Sequence, residues 1–210
     1  MLVQQKLLFY YTYFIIIFKL NLIKSNFLVL KVAIIGDLMN KNGFLKECIA
    51  DSLIKLMEHT DFTKITIADI TKGAGVNRST WFRNFSTKNE CLTYKLIMLW
   101  ERWSAEHNII KTANYSFDNA KDFLFFCYDI KDILTAIYKS NVFSVTYDAF
   151  NSILRAQFES TEKMFYENRF YLNGMFGLLE EWTKRDFFEK PEQMNDIFYE
   201  LISNFVESNS

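Results

Sequence analysis

The chain has 210 residues, half of them apolar and 18% aromatic, with 24 basic against 25 acidic side chains. It is long enough to bury a sizeable core, and its near-zero net charge selects no partner by itself. One proline and six glycines exclude a collagen-like or Pro/Gly-rich disordered chain and argue against a turn-dense all-β fold.

Residues 1–38 differ from the rest. Leu7 to Phe18 is an uncharged apolar run of 12, interrupted by Lys19 and followed by Lys24 and Lys31. A spanning helix needs about 20 mostly apolar residues, and no small-residue cleavage site follows the run. Three readings stay open: a translated AT-rich upstream stretch outside the fold, with Met39 as the natural start; a membrane anchor; or a packed helix. The first is the expectation adopted for this N-terminal extension.

From Leu45 the pattern is clean. Leu45, Cys48, Ile49, Ser52, Leu53, Leu56 and Met57 recur at helical spacing. A connector holding Phe62 and Ile65 leads to Thr66-Ile67-Ala68-Asp69, whose spacing is that of a capping box. The helix it opens is stopped by Gly73-Ala74-Gly75. Asn77 is a suitable N-cap for a third helix over roughly 77–84. Thr87-Lys88-Asn89-Glu90 repeats the capping-box spacing and opens a long helix through Leu92, Leu96, Leu99 and Trp103. Three short helices with a glycine turn before the last make a helix-turn-helix plan. Helical periodicity continues over 117–158, broken near Asp129 and Ser140-Asn141, then over Thr161–Arg185. Pro191 opens a last helix with apolar positions at Met194, Ile197, Phe198, Leu201, Ile202, Phe205 and Val206. The expected fold is all-α, about nine helices in all. It divides into the extension (1–38), a DNA-binding domain (39–92) and a larger helical domain (93–210).

Charge follows the same division. Residues 39–92 hold eight basic and six acidic side chains, while 93–210 hold twelve against eighteen. Within the first group, 71–88 carries Lys72, Arg78, Arg83 and Lys88 with no acid, the most concentrated charge in the chain. Gly73-Ala74-Gly75 lacks the further glycine, the Gly-Lys-Ser/Thr and the preceding strand that a phosphate-binding loop requires.

The stretch Ile70-Thr71-Lys72-Gly73-Ala74-Gly75-Val76-Asn77-Arg78-Ser79-Thr80-Trp81-Phe82-Arg83-Asn84-Phe85-Ser86-Thr87-Lys88 resembles the helix-turn-helix of TetR/AcrR-type transcriptional regulators. The Ala-Gly-Val turn, the Ser-Thr-aromatic-aromatic-Arg helix, the following Phe, and a Lys three residues after it carry the resemblance. With its flanks, 45–92, it covers about a quarter of the chain. Asn173-Gly174-Met175-Phe176-Gly177-Leu178-Leu179-Glu180-Glu181-Trp182, followed by Pro191-Glu192, is similar to the C-terminal end of TetR-like regulators of low-GC Gram-positive bacteria. The resemblance implies a cytoplasmic homodimer that binds a palindromic double-stranded operator and is released by a small apolar or amphipathic effector.

On that plan the third helix enters the major groove. Arg78 is the candidate for a bidentate guanine contact. Asn77, Ser79 and Thr80 can reach bases or phosphates, and Arg83 and Lys88 can neutralise phosphate. Thr66 and Thr87 place helix N-termini toward phosphate oxygens. Phe82 stands where the family has a Tyr whose hydroxyl touches phosphate. Trp81 is either core or a substitute donor through its indole N–H. Thr71 and Ser79 also depart from the family's usual Ala and Gly.

Residues 93–210 contain 25 of the 37 aromatic side chains. They first of all fill a core, but an aromatic-rich helical domain can also enclose a pocket. Trp100, Trp103, Phe126, Tyr147 and Phe150 are the candidate effector-lining residues. Gly174 and Gly177 interrupt a helical pattern, which suggests close backbone approach to another helix. Gly174, Leu178, Trp182, Ile197, Phe198, Leu201 and Phe205 form the candidate dimer interface of a four-helix bundle, with packing inside one subunit as the competing explanation. Cys48, Cys91 and Cys127 are widely spaced and odd in number, reading as buried thiols in a reducing compartment. No metal or cofactor motif is present around them or around His59 and His107. No nucleophile–base pair or carboxylate dyad points to an enzyme. Two further function classes remain: a helix-turn-helix relative acting as a coactivator without reading DNA, and a membrane-tethered regulator.

Overall fold

The computed structural model describes residues 41–109, 117–155 and 162–207. The expectations for residues 1–38 and for a start at Met39 lie outside them. The fold is all-α: nine helices and no strand occur among the described residues. The chain divides into two compact units between Lys95 and Leu96.

The first unit holds α1 (Lys41–Met57), α2 (Ile67–Ala74), α3 (Arg78–Asn84) and the start of α4 (Lys88–Glu106). α1 buries Cys48, Ile49, Ser52, Leu53 and Met57, a stripe at 3.6-residue period. Phe62 and Ile65 of the connector close over the same core. α2 begins in a complete capping box: the Thr66 hydroxyl accepts from Asp69 N–H, and the Asp69 carboxylate accepts from Thr66 N–H at 3.0 Å. It ends at Gly75, whose φ of 69° is left-handed. The stop is thus Gly75 alone, since Gly73 remains helical. A Cβ at Gly73 would stand 2.3 Å from Ser52 Oγ, and that hydroxyl donates to Ile70 O at 2.8 Å. Gly73 is therefore the point where α2 lies close against α1. Asn77 caps α3 through Oδ1, which accepts from Thr80 N–H at 3.0 Å.

α4 opens with a half-formed box. Thr87 Oγ1 accepts from Glu90 N–H, while the Glu90 carboxylate reaches one residue further back, to Ser86 N–H at 2.7 Å. Lys95, buried, sets its ammonium 2.6 Å from Asp51 and 3.8 Å from Glu47, both on α1. A buried cation persists only with such partners.

The second unit holds the remainder of α4 with α5 (Phe117–Asp129), α6 (Lys131–Lys139), α7 (Ser144–Arg155), α8 (Glu162–Lys184) and α9 (Pro191–Glu207). The break between α5 and α6 is the single residue Ile130, and Asn141 turns the chain before α7 with a positive φ of 57°. α9 packs on α5, and α8 on α6 and α7. Leu124, Phe126, Cys127, Leu134, Ile137, Ala149 and Leu179 are buried between them. All three cysteines are buried, and none of them is in a disulfide. Burial pushes the Cys127 thiol well above its ordinary pKa, and likewise the Cys91 thiol. Both are inert core groups. No helix of the described residues is long and apolar enough to cross a membrane, and no acidic or His/Cys cluster among them could hold a metal ion.

Candidate nucleic-acid interface

α3 has two faces. Thr80, Trp81 and Asn84 are buried, while Arg78, Ser79, Phe82 and Arg83 are exposed. Positions i, i+1, i+4 and i+5 subtend one side of a helix, so the second set is a single outward stripe with two guanidinium groups and no acid. The N-cap organises its base. Asn77 Oδ1 also accepts from Ser79 Oγ at 2.7 Å and from Thr80 Oγ1 at 2.8 Å. Arg83 leans back on Thr80 Oγ1 at 3.2 Å, and the Arg78 guanidinium lies over the Phe82 ring, 5.7 Å from its centroid.

Four of the expected contact residues are placed otherwise. Trp81 has no exposed surface. Its ring packs on Phe85, 5.6 Å between centroids, and Phe85 packs edge-on to Tyr94 at 5.6 Å. Its indole is a core group and cannot substitute for a tyrosine hydroxyl at a phosphate. Phe82 is the ring left outside, 61% exposed. Thr80 is buried, with its hydroxyl donating to Asn77, so it serves the α3 cap and not a base edge.

Lys88 does not project as a free cation: its Nζ donates to Ile65 O at 2.9 Å and to Phe62 O, with the ammonium 4.3 Å from the Phe62 ring centroid. Partial burial lowers its pKa, with Asp61 opposing that shift. It ties the N-terminus of α4 to the connector before α2. Thr66 is exposed, but its hydroxyl donates to Asp69 at 2.6 Å. The hydrogen bonds from Thr66 hold the Asp69 carboxyl below its ordinary pKa. A negative carboxylate therefore sits on the hydroxyl meant for phosphate, and Thr66 is a cap before it is a contact. Thr87 is exposed with its Oγ1 engaged by Glu90 N–H. Asn77, Arg78, Ser79 and Arg83 stand exposed, joined by Phe82 and by Lys72 on α2. The i, i+4 spacing from Arg78 was the signal that could have found Phe82.

In the second unit four of the five expected pocket residues meet. Trp100 lies 5.2 Å from Phe126 and 5.9 Å from Trp103. Phe123 joins them at 6.2 Å from Trp100 and 4.6 Å from Phe150. Phe123 was missed in the sequence, where one Phe among several on α5 carries no distinguishing mark. Trp103 donates to Asp129 at 2.7 Å, whereas the Trp100 indole nitrogen is buried with no acceptor among the described residues. Tyr147 belongs to another group. Its ring is 5.4 Å from Phe176, and its hydroxyl accepts from Arg169.

The residues expected at a dimer interface divide. Gly174, Ile197 and Leu201 are exposed and Leu178 is half-buried. Tyr166 and Phe170 lie exposed on α8 as well. A Cβ at Gly174 or Gly177 meets nothing within 4 Å, so neither glycine serves a close approach inside the described fold.

Trp182 and Phe198 are core instead. Trp182 packs 4.8 Å from Phe187 and 6.0 Å from Tyr128, and donates to Glu189 O at 3.1 Å. Phe198 is buried one turn after Met194. Among the described side chains of α9, Pro191, Met194 and Phe198 are the buried ones, and Ile197 and Leu201 lie off that stripe. The continuous apolar pattern of α9 was thus two faces read as one. The side chain of Phe205 lies outside the described residues.

No curated protein matches the chain. Residues 105–204 match a TetR family model described as "Transcriptional regulator C-terminal region". That stretch takes in nearly all of the second unit, and it stands behind an N-terminal unit of three helices whose glycine turn leads into a basic α3. The C-terminal region of the chain is thus that of a TetR-type transcriptional regulator.

Proposed function

We propose that the chain is a cytoplasmic, homodimeric DNA-binding repressor of a nearby operon. Its α3 enters the major groove of a palindromic site, and a small apolar or amphipathic effector bound in the second unit releases it. The observation that carries the reading is the outward stripe of α3: Arg78, Ser79, Phe82 and Arg83 together, with no carboxylate among them. A solvated face of a small domain ordinarily mixes signs, and an acid-free basic face on a groove-sized helix suits phosphate and base edges. Arg78 at the first turn of α3 serves as the base reader and Arg83 as the phosphate contact. Asn77 and Ser79 fix the orientation of that first turn. On the effector side, the Trp100 indole offers an unused donor inside a ring cluster, which suits a largely apolar molecule bearing one hydrogen-bond acceptor.

The test is in vitro selection of duplex DNA by the full chain, followed by binding isotherms on the selected and a scrambled duplex at several salt concentrations. A two-fold symmetric selected site, with half-sites about 34–36 Å apart and affinity falling steeply with salt, supports the reading. Absence of salt-dependent binding to any duplex overturns it in favour of a coactivator that binds no DNA.

A further inference from the structure

We propose that Phe82 reads the 5-methyl group of a thymine in the major groove, within about two base pairs of the base taken by Arg78. The inference rests on the DNA-reading function above and adds to it a base and an atom.

In the first unit Phe82 is the one large apolar side chain that stands exposed among the described residues. Its neighbour Trp81 is the ring of α3 that enters the core, fully buried and packed on Phe85. The ring carries no hydroxyl, so it can make no hydrogen bond to a phosphate. What it can do is bury apolar surface. Among the groups displayed in the major groove the thymine methyl is the apolar one, and Phe is among the side chains suited to it. Cytosine presents only a C–H at that position.

The position of the ring is constrained by its partner. Arg78 and Phe82 are four residues apart on α3, a rise of about 6 Å. Base pairs repeat every ~3.4 Å, so the two side chains address bases about two steps apart or closer. The guanidinium stacked on the ring at 5.7 Å keeps Arg78 extended along the exposed face, with the ring and the cation delivered as a pair. Neither residue has an acidic neighbour on α3 to draw the guanidinium aside.

The experiment uses the full chain and the duplex obtained by selection, with each thymine replaced in turn by deoxyuridine. Deoxyuridine keeps the pairing and lacks only the methyl. For the wild type, one position per half-site is expected to lose about fourfold in affinity, the effect of one buried methyl group. In Phe82→Ala that position becomes indifferent to the replacement, while Phe82→Leu keeps part of the difference. Phe82 lies on the surface, and an unchanged circular-dichroism melt establishes that both variants are folded.

If Phe82→Ala weakens thymine and deoxyuridine duplexes equally, the ring packs on the sugar–phosphate backbone and the proposal is overturned. A wild type indifferent to every replacement overturns it too, and leaves the DNA-reading function standing. A wild type that binds no duplex overturns both.

Discussion

Lys88 Nζ donates to the Ile65 carbonyl oxygen at 2.9 Å, joining the first residue of α4 to a connector 23 positions earlier in the chain. A lysine in a basic segment next to a DNA-reading helix reads in sequence as a phosphate contact. In the fold it is a positioning residue, holding the entry to α4 against the entry to α2. Lys88→Met keeps the stem and removes the donor. It is expected to destabilise the first unit by about 1.5–3 kcal/mol, the range for hydrogen bonds that involve a charged group. The salt slope of DNA binding should stay unchanged. Arg83→Ala should do the reverse: little loss of stability, and a salt slope smaller by about one unit on every sequence. Denaturant melts and isotherms at several salt concentrations separate the two. A Lys88→Met slope that falls like that of Arg83→Ala would restore the phosphate assignment.

The two glycines of the turn do different work, and their substitutions should differ. At Gly73 an alanine Cβ would meet Ser52 Oγ at 2.3 Å. The serine must rotate and abandon Ile70 O, or α2 must move off α1. At Gly75 the strain is in the backbone, since φ is 69°; an L-residue there costs about 1–2 kcal/mol. Gly75→Asn should recover part of that cost, because Asn tolerates the left-handed region, whereas Gly73→Asn should be worse than Gly73→Ala. Urea melts of these three variants and of Gly75→Ala check the order. Equal stability of Gly73→Ala and wild type would mean that the Ser52 side chain yields at no cost.

Asp69 makes the entry to α2 sensitive to acid. The hydrogen bonds from Thr66 hold its carboxyl below the ordinary value of 3.8. A carboxyl depressed in the folded state contributes stability that is present above the unfolded pKa and is lost as pH falls through the folded one. Asp61, held down in the same sense by Thr63, adds to the effect. Wild type should therefore lose stability between about pH 4 and the folded pKa values, and Asp69→Asn should lose less over that interval from a lower starting point. Thermal melts at pH 7 and pH 3 measure the difference. Identical pH profiles for the two proteins would remove Asp69 from the acid response.

Much of the first unit was legible in the sequence because its signals are local. The Thr66–Asp69 spacing, the Asn77 cap and the α1 stripe depend on residues three or four apart, and each appears as expected. What the sequence could not rank was burial among adjacent aromatics. Trp81 and Phe82 point about 100° apart on α3, and only the packing of Phe85 and Tyr94 decides which enters the core. The fate of Lys88 was hidden for a related reason: its partners are backbone carbonyls, which leave no trace in residue identity. In α9 an unbroken apolar pattern concealed two faces, since periodicity shows that positions are apolar and not what covers them.

Those two faces of α9 should respond oppositely to substitution. Phe198 and Met194 are buried, and α9 packs on α5. Phe198→Ala is expected to cost about 3–5 kcal/mol of stability and to lower DNA affinity only through unfolding. Leu201 is 45% exposed. Leu201→Glu with Ile197→Glu should leave the subunit folded, with far-ultraviolet dichroism unchanged, yet separate a dimer that buries this face, because an unpaired buried charge is costly. Sedimentation reads the assembly. An intact dimer in the doubly substituted chain would place the interface elsewhere.

Gly174 and Gly177 give the sharpest test of the same surface. Among the described residues a Cβ at either position meets nothing within 4 Å, and both lie within α8. Glycine there is unfavourable by about 1 kcal/mol relative to alanine, so for an isolated subunit the change to alanine is a gain. A packed dimer reverses the sign if the glycines exist to let two backbones approach, since each methyl would then hold the helices apart. Gly174→Ala with Gly177→Ala should thus raise the melting temperature of the dissociated subunit, prepared with Ile197→Glu and Leu201→Glu. In the otherwise unaltered chain it should weaken self-association. Dilution followed by sedimentation gives the association constant in each background. If alanine strengthens both the subunit and the dimer, the two glycines lie outside the contact, and the interface runs through Tyr166, Phe170 and Leu201 without them.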